Sequence, residues 1–393
     1  CKMKMRSVSD MSNVHYLLAL LILAKQWSMC SRVCHINACD ALREMKDELA
    51  RCARPNNRES LDIPFANLGR RVKSLEQPVW IITNTEDRWY RCGEGPCQCR
   101  PETMTLSCWH QELGQLPDSQ VVPKDIQNID LGINYLSSLH KDSFQDLKHL
   151  SELRLHRNRL TELNDGLFLK LNNLKIIDIS SNAIRHLPER LFHGNKKLIV
   201  VQLSRNSLED LPEHLFSDLI MLEELDLSNN VLTNLKPLTF KGLYAVKRLQ
   251  LQDNVVQDLP EILFNDLHSL ELLSLRKNHI TIIPPTLFNN MKYLKYLDLT
   301  NNWISKLSGH ELSSLAELEE LHLGQNYLEA LPEGLFLQLY KLKKLFLFNN
   351  NLEQLESDVF KGLDNLITLF LNNNILKHIG DDIFSYVPNL IKL

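Results

Sequence analysis

Hydrophobic residues recur along most of this chain in a fixed pattern of 24 residues. In the stretch from Leu150 to Leu163, leucines alternate with polar residues, and Asn158 follows the alternation. Such alternation predicts a short β-strand with one buried face. A fixed period predicts a solenoid in which the strands of successive repeats stack in parallel. Eleven asparagines keep this register without a shift, at Asn134, Asn158, Asn182, Asn206, Asn230, Asn254, Asn278, Asn302, Asn326, Asn350 and Asn374.

The repeated asparagine is expected to hold the loops of neighbouring repeats together. A buried amide can donate and accept hydrogen bonds. An apolar residue would leave buried backbone groups unpaired, at a cost of about 1–3 kcal/mol each. A phenylalanine with the same period is expected to fill the core beneath the convex side, and Leu312 replaces it once. The phenylalanines are Phe144, Phe168, Phe192, Phe216, Phe240, Phe264, Phe288, Phe336, Phe360 and Phe384.

Together these positions resemble the typical 24-residue leucine-rich repeat over residues 121–393. The resemblance implies an α/β solenoid, a leucine-rich repeat horseshoe with a parallel concave β-sheet and an irregular or short-helical convex side. It also implies that binding takes place on the variable strand positions of the concave face. The leucines, asparagines and phenylalanines would then belong to the scaffold.

Four cysteines precede the first repeat, within residues 92–120, in the spacing C-x4-C-x-C-x8-C. The segment resembles the cysteine-rich amino-terminal cap of extracellular leucine-rich repeat proteins. This resemblance implies structural disulfides in a cap that covers the open end of the hydrophobic core. Four clustered cysteines can also bind zinc, but the repeats that follow and the apolar leader before them favour disulfides. The cysteines are Cys92, Cys97, Cys99 and Cys108.

Residues 1–28 have the features of a secretory leader. Residues 17–24 are apolar and too short to span a bilayer, yet long enough for the core of a signal sequence. Lys2, Lys4 and Arg6 precede this run. The alternative is a buried helix of the mature protein. Together with eight cysteines between Cys30 and Cys108, the leader predicts a secreted or cell-surface protein.

Residues 29–91 form a prelude of unassigned fold between the leader and the cap. Residues 40–51 have a helical pattern, and residues 53–61 have the composition of a polar linker. The prelude is either a small binding module or a spacer. It contains Cys30, Cys34, Cys39 and Cys52.

An aromatic cluster occupies variable strand positions of the last repeats. In earlier repeats the same column is polar from Asp130 to Asp298, as expected for a solvated sheet face. Exposed aromatic groups are typical of binding surfaces. Alternatively, the rings cover the end of the sheet or vary by chance. Trp303 and Tyr327 predict a second, exposed aromatic step beside the asparagines. The predicted ligand-binding residues are Tyr296, His322, Phe346, Phe348 and Phe370.

A basic patch is a second candidate binding site in the early repeats. Arg154, His156 and Arg157 lie on or beside one predicted strand, where they would attract an acidic protein or an acidic glycan. Glu152 and Asp178 are expected nearby. The alternative is therefore a solvated face of mixed charge without a ligand.

Composition and charge narrow the function further. The chain has 393 residues, of which 44% are hydrophobic and 23% charged, and its net charge is −4. The part after residue 91 contains 29 basic and 38 acidic residues, a net charge of −9, which argues against a nucleic-acid partner. The sequence has no metalloprotease, hydrolase or phosphate-loop motif. No enzymatic activity, metal or cofactor is therefore expected.

The predicted function is recognition of a protein or peptide ligand outside the cell. The repeats and cap resemble those of Toll-type, Slit-like and relaxin-receptor-like leucine-rich repeat proteins, which implies the ectodomain of a cell-surface receptor. The alternative is a secreted extracellular-matrix or adhesion protein. Leu390 and Leu393 begin a twelfth repeat, so the chain is expected to be a fragment. Any membrane-spanning segment is then expected beyond residue 393.

Overall fold

The computed structural model describes residues 80–393 and confirms the predicted leucine-rich repeat solenoid. Its concave face is a 13-stranded sheet in which the first pair of strands is antiparallel and all later neighbours are parallel. The strands, in spatial order, are β2 Gln98–Arg100, β3 Thr105–Ser107, β5 Asn128–Asp130, β6 Glu152–Arg154, β7 Ile176–Asp178, β8 Val200–Gln202, β9 Glu224–Asp226, β10 Arg248–Gln250, β11 Leu272–Ser274, β12 Tyr296–Asp298, β13 Glu320–His322, β14 Lys344–Phe346 and β16 Thr368–Phe370.

The remaining elements are short. Two further parallel pairs join β1 Ile81–Thr83 to β4 Val121–Pro123, and β15 Gln354–Leu355 to β17 His378–Ile379. One five-residue helix, α1 Arg88–Cys92, and the 3₁₀ turns Pro101–Thr103 and Ile383–Tyr386 complete the described part of the chain. Turns rather than helices therefore form most of the convex side of the described repeats.

The predicted leader, residues 1–28, lies outside the described residues. The prelude lies outside them as far as residue 79.

The strand register follows directly from the repeat length. In the strands of the 13-stranded sheet from β5 to β16, the middle residue is buried and pairs with the middle residue of the next repeat, as Leu249 does with Leu225 and Leu273. Side chains alternate across a strand, so the first and third residues of each strand point to the opposite face. The leucines thus enter the core, while the variable residues form the concave surface.

The asparagine ladder is confirmed with full hydrogen bonding. The amide group of Asn158 donates to the carbonyl oxygens of Leu131 and Leu155 at 2.9 and 3.0 Å, and its Oδ1 accepts the N–H of Leu136 at 3.0 Å. The same pattern recurs as far as Asn374. Each asparagine therefore links its own turn to the preceding repeat.

The phenylalanine spine is also formed, with one exception. Neighbouring rings lie about one repeat apart, as for Phe168 and Phe192, whose centroids are 6.2 Å apart. Phe384 was expected in this core, but it is 43% exposed, whereas the adjacent Ile383 is buried like the residue before the phenylalanine in earlier repeats. The prediction was wrong there because the 3₁₀ turn Ile383–Tyr386 replaces the regular turn of the earlier repeats. Where Leu312 interrupts the spine, buried Glu311 accepts the N–H groups of Ser308 and Gly309.

Two disulfides hold the amino-terminal cap, Cys92–Cys99 and Cys97–Cys108. Buried Gln120 links both: its amide donates to the carbonyl oxygen of Cys92 at 3.0 Å, and its Oε1 accepts the N–H of Cys97 at 3.0 Å. These bonds close the end of the core before the first repeat.

The described end of the prelude, residues 80–91, packs on the cap and the first repeat. The indole of Trp80 is buried, donates to the carbonyl oxygen of Ser143 at 2.8 Å and meets the ring of Phe144 edge-on. Arg88 forms a two-point ion pair with Asp125, with Nε–Oδ1 and Nη2–Oδ2 distances of 3.0 and 2.9 Å. This ion pair ties α1 to the loop after β4.

Candidate ligand-binding face

Four of the five predicted aromatic residues form one continuous row across the concave sheet. His322, Phe346 and Phe370 are the third residues of β13, β14 and β16, and their Cα atoms pair in register. Tyr296 begins β12 and approaches His322 from the preceding repeat. We call Tyr296, His322, Phe346 and Phe370 the ring row. His322, Phe346 and Phe370 are adjacent because residues 24 apart must be neighbours in a solenoid with this repeat length, whereas Tyr296 reaches His322 from the first position of β12.

Three rings of the row, those of His322, Phe346 and Phe370, are stacked face to face. The centroids of His322 and Phe346 are 4.2 Å apart with an interplanar angle of 11°, and those of Phe346 and Phe370 are 5.4 Å apart at 20°. Tyr296 is tilted by 47° against His322 at 5.2 Å. All four side chains are half-buried, since neighbouring rings cover much of each other's surface.

Stacking determines what the row offers a ligand. The faces inside the row are occupied by neighbouring rings, so mainly the ring edges remain accessible. Aromatic edges carry partial positive charge and favour aromatic faces in edge-to-face contacts. A ligand that presents an aromatic side chain, or an apolar group with a nearby acceptor atom, would therefore complement the row.

Phe348, the fifth predicted residue, lies beside the row rather than in it. Its ring covers Gly324, which is buried two residues after β13, one repeat earlier. His156 lies over Gly132 in the same way near the other end of the sheet. In both places, glycine makes room for a ring on the concave surface.

A charged pair beside the row was not anticipated from the sequence. The carboxylate of Glu320 accepts a hydrogen bond from Lys344 Nζ at 2.9 Å and lies 2.7 Å from His322 Nε2. Burial opposes ionisation of Glu320, but the bonds from Lys344 and His322 outweigh it and hold the pKa of Glu320 below its usual range. Glutamate and lysine 24 residues apart at the first strand position were the signal that could have revealed this pair.

Tyr296 closes one end of the row as a neutral phenol. Burial, together with the neighbouring carboxylates of Asp298 and Glu320, raises the pKa of Tyr296 to about 12. Its hydroxyl lies 3.4 Å from Asp298 Oδ2. At neutral pH this hydroxyl is protonated and is a hydrogen-bond donor at the end of the row next to His322.

The polar column before the row is less solvated than predicted. Asp226, Ser274 and Asp298 are buried. The carboxylate of Asp226 accepts the N–H of Ser228 at 2.9 Å, and Asp298 accepts that of Thr300 at 2.9 Å. Asp130 and Asp178 do the same for Gly132 and Ser180. These aspartates therefore support the strand ends, and only part of the column is free for recognition.

Two of the three residues of the predicted basic patch lie beside carboxylates. Arg154 Nη2 lies 2.5 Å from Glu152 Oε1, and His156 Nδ1 lies 3.5 Å from Asp178 Oδ2. Arg157 is exposed in the turn after β6. These pairs favour the alternative of a mixed-charge face, and an acidic ligand for this patch stays a prediction.

Within residues 80–393, no group of three or more histidine, cysteine or acidic side chains is arranged to hold a metal ion. The same residues contain no helix of sufficient length and hydrophobicity to span a bilayer.

The fold and the concave face define a recognition solenoid, a class that binds other molecules along an extended sheet. Comparison with protein families gives the same result. The leucine rich repeat family model matches residues 124–184, 172–232, 220–280, 269–328 and 316–374. The chain therefore belongs to the leucine-rich repeat family, whose members are generally protein-interaction scaffolds rather than enzymes. No curated protein gives a significant match.

Solved structures of similar fold come from several organisms. A leucine-rich repeat protein of Leptospira interrogans shares 29% identity and a TM-score of 0.56, over 69% of this chain and 72% of that one. Toll in the Drosophila Toll–Spatzle complex shares 27% identity and a TM-score of 0.62, over 69% of this chain but 38% of its own. A Listeria monocytogenes internalin, at 20% identity and a TM-score of 0.54, covers 74% of this chain and 86% of its own. The internalin shows the shared fold alone.

Proposed function

We propose that this chain is the ligand-binding ectodomain of a cell-surface receptor and that it takes a protein or peptide ligand on its concave sheet. The observation that carries the proposal is the ring row, Tyr296, His322, Phe346 and Phe370, with Phe348 beside it. Aromatic side chains that are already ordered lose little entropy on binding and are frequent among residues that dominate binding energy. The row therefore forms the centre of the proposed interface.

Two further observations support a location outside the cell. Both cysteine pairs of the cap are disulfides, which persist mainly in oxidising compartments. The likeness to Toll, solved in complex with Spatzle, supports a receptor that binds a protein ligand. A secreted matrix or adhesion protein would use the same sheet, so the experiment must separate location from binding.

The first test addresses location. The complete coding sequence is expressed in animal cells, and surface biotinylation is compared with the conditioned medium. A receptor is expected on the cell surface, with the leader cleaved off near residue 28. Recovery of the protein only from the medium favours the matrix alternative. Retention in the cytosol with free cap thiols would contradict both.

The second test addresses the ring row. A library of extracellular proteins and peptides is screened against the purified chain, and the strongest ligand is measured again with Phe346→Ser and Phe370→Ser. Each variant is expected to weaken binding by more than about tenfold, since loss of a central aromatic contact often costs 2 kcal/mol or more. Tyr293→Ser, at an exposed ring in the turn before β12, is the matched control and should bind like the wild type. Unchanged affinity of both ring-row variants would remove the row as the binding site.

A further inference from the structure

A second aromatic surface lies at the edge of the sheet, beside the buried asparagine ladder. Trp303 and Tyr327 follow Asn302 and Asn326 in consecutive repeats, and their side chains are 45% and 52% exposed. The imidazole of His279, one repeat earlier, stacks on Trp303 with centroids 4.3 Å apart and an interplanar angle of 13°. Three flat rings thus follow one another along this flank of the solenoid.

The residues that precede the ladder asparagines differ between the early and the late repeats. The position before each asparagine carries exposed Asn301, Gln325, Asn349 and Asn373 in the last four repeats. In earlier repeats the equivalent position includes charged side chains, among them Arg157, Arg205, Asp253 and Lys277. We call His279, Trp303, Tyr327, Asn301, Gln325 and Asn349 the flank strip. From the repeat that contains Trp303 onward, the residue before every ladder asparagine is an uncharged amide, whereas charged residues alternate with Ser181 and Asn229 in the repeats before it.

The backbone beneath the flank strip is firmly held. The N–H of Trp303 donates to the carbonyl oxygen of Ile280 at 2.9 Å, and that of Tyr327 donates to Ile304 at 2.9 Å. Asn302 and Asn326 are buried at the centre of the ladder. The strip is consequently an ordered surface, and little of its structure would have to change when a ligand binds.

The chemistry of the strip fits an uncharged, hydroxyl-rich ligand. Each amide side chain is both a donor and an acceptor, and a hydroxyl group has the same double capacity. The Oδ1 of Asn349 already accepts a hydrogen bond from Asn373 at 2.6 Å, so Asn349 offers a ligand mainly its donor group. Aromatic rings suit a ligand with an apolar face. Since the rings and amides recur at the repeat spacing, the ligand should repeat as well. A linear chain of neutral sugar rings combines an apolar C–H face, hydroxyl edges and a regular repeat.

We propose that the flank strip binds a neutral oligosaccharide, with Trp303 and Tyr327 stacking on sugar rings and Asn301, Gln325 and Asn349 bonding to hydroxyls. This site is separate from the concave ring row and does not depend on the function proposed for it. A protein partner on the flank strip is the competing possibility, and the experiment distinguishes the two.

The probes are cellohexaose, chitohexaose, mannohexaose, maltohexaose and laminarihexaose, added singly to the full-length chain and followed by isothermal titration and saturation-transfer NMR. At least one probe is expected to bind. Trp303→Ala and Tyr327→Ala should each weaken binding of that probe by about tenfold or more, because each removes a stacking partner. Tyr293→Ala removes a more exposed ring elsewhere, in the turn before β12, and should leave the affinity unchanged.

Three results would overturn the proposal. In the first, none of the hexasaccharides binds. In the second, a hexasaccharide binds Trp303→Ala and Tyr327→Ala as tightly as the wild type. In the third, Trp303→Ala loses affinity for a protein ligand but not for a sugar. Thermal melting accompanies each variant. If Trp303→Ala unfolds, the conclusion rests on Tyr327→Ala and on Gln325→Ala, whose side chain is exposed and whose loss should weaken sugar binding severalfold.

Discussion

The aromatic ring of Phe348 lies so closely over Gly324 that a β-carbon at residue 324 would stand 2.6 Å from the ring. Real β-carbons essentially never approach other atoms to this distance. The absence of a side chain at Gly324 therefore determines where the ring of Phe348, in the next repeat, lies. The ring in turn borders the proposed ligand-binding row.

Gly324→Ala should displace the ring of Phe348 and lower the thermal midpoint of unfolding. The expected loss is about 1 kcal/mol, at the low end of overpacking, because the half-exposed ring can swing toward solvent. In the Phe348→Ala background the same substitution should have little effect. Gly114→Ala is the control, since a β-carbon there contacts nothing within 4 Å. An equal loss in both backgrounds would mean that the strain arises elsewhere.

Asn230→Leu should strongly destabilise the middle of the solenoid. The asparagine side chain donates to Leu203 and Leu227 and accepts from Leu208, all at 3.0–3.1 Å. Leucine would leave the N–H of Leu208 unpaired, at a cost of about 1–3 kcal/mol. The carbonyl oxygens of Leu203 and Leu227 would each lose one of two donors, since Asn206 and Asn254 still bond to them. Denaturant unfolding followed by circular dichroism measures the loss. The exposed neighbour Asn229→Gly should change little, and a comparable loss there would argue against the ladder as the cause.

Ile133→Asn should stabilise the first repeat. Ile133 has a φ of +55°, the left-handed conformation that the residue before each ladder asparagine adopts. A β-branched side chain is costly there, at about 1–2 kcal/mol, whereas asparagine tolerates this region. The reverse exchange, Asn301→Ile at a φ of +58°, should destabilise by a similar amount. Differential scanning calorimetry tests both, and a lower melting temperature for Ile133→Asn would refute the expectation.

The ion pair between Arg88 and Asp125 should make the cap sensitive to acid. The hydrogen bonds from Arg88 hold the pKa of Asp125 below its usual range, although partial burial opposes this. A lowered folded-state pKa adds stability above the unfolded-state pKa of about 4, and this stability is lost as the pH falls through the folded-state value. Asp125→Asn should therefore be less stable than the wild type at pH 7.

The stability difference between Asp125→Asn and the wild type should shrink as the pH is lowered below about 4. Urea midpoints measured from pH 7 to pH 3 give both curves. Asp118→Asn, at an exposed carboxylate of the same cap, is the control. A difference that stays constant over this range would show that the pair does not contribute through ionisation.

Much of the fold follows from the repeat alone. A period of 24 residues with alternating leucines places residues 24 apart side by side, so the strands, their parallel order and the asparagine ladder could all be predicted. The neighbourhood of Phe346 and Phe370 was predictable for the same reason. Because one turn of the solenoid equals one repeat of the sequence, adjacency between repeats needs no knowledge of the tertiary structure.

The tertiary structure alone decided how the side chains use these positions. The spacing of the cap cysteines did not predict that Cys92 pairs with Cys99, because pairing depends on how the cap folds against β3 and β4. The 24-residue repeat likewise did not predict that Asp298 bonds to the backbone instead of facing solvent, or that Phe384 lies outside the core. The sequence determined which residues are neighbours through its period. Burial, side-chain direction and cap connectivity came from packing in three dimensions, which a one-dimensional repeat does not encode.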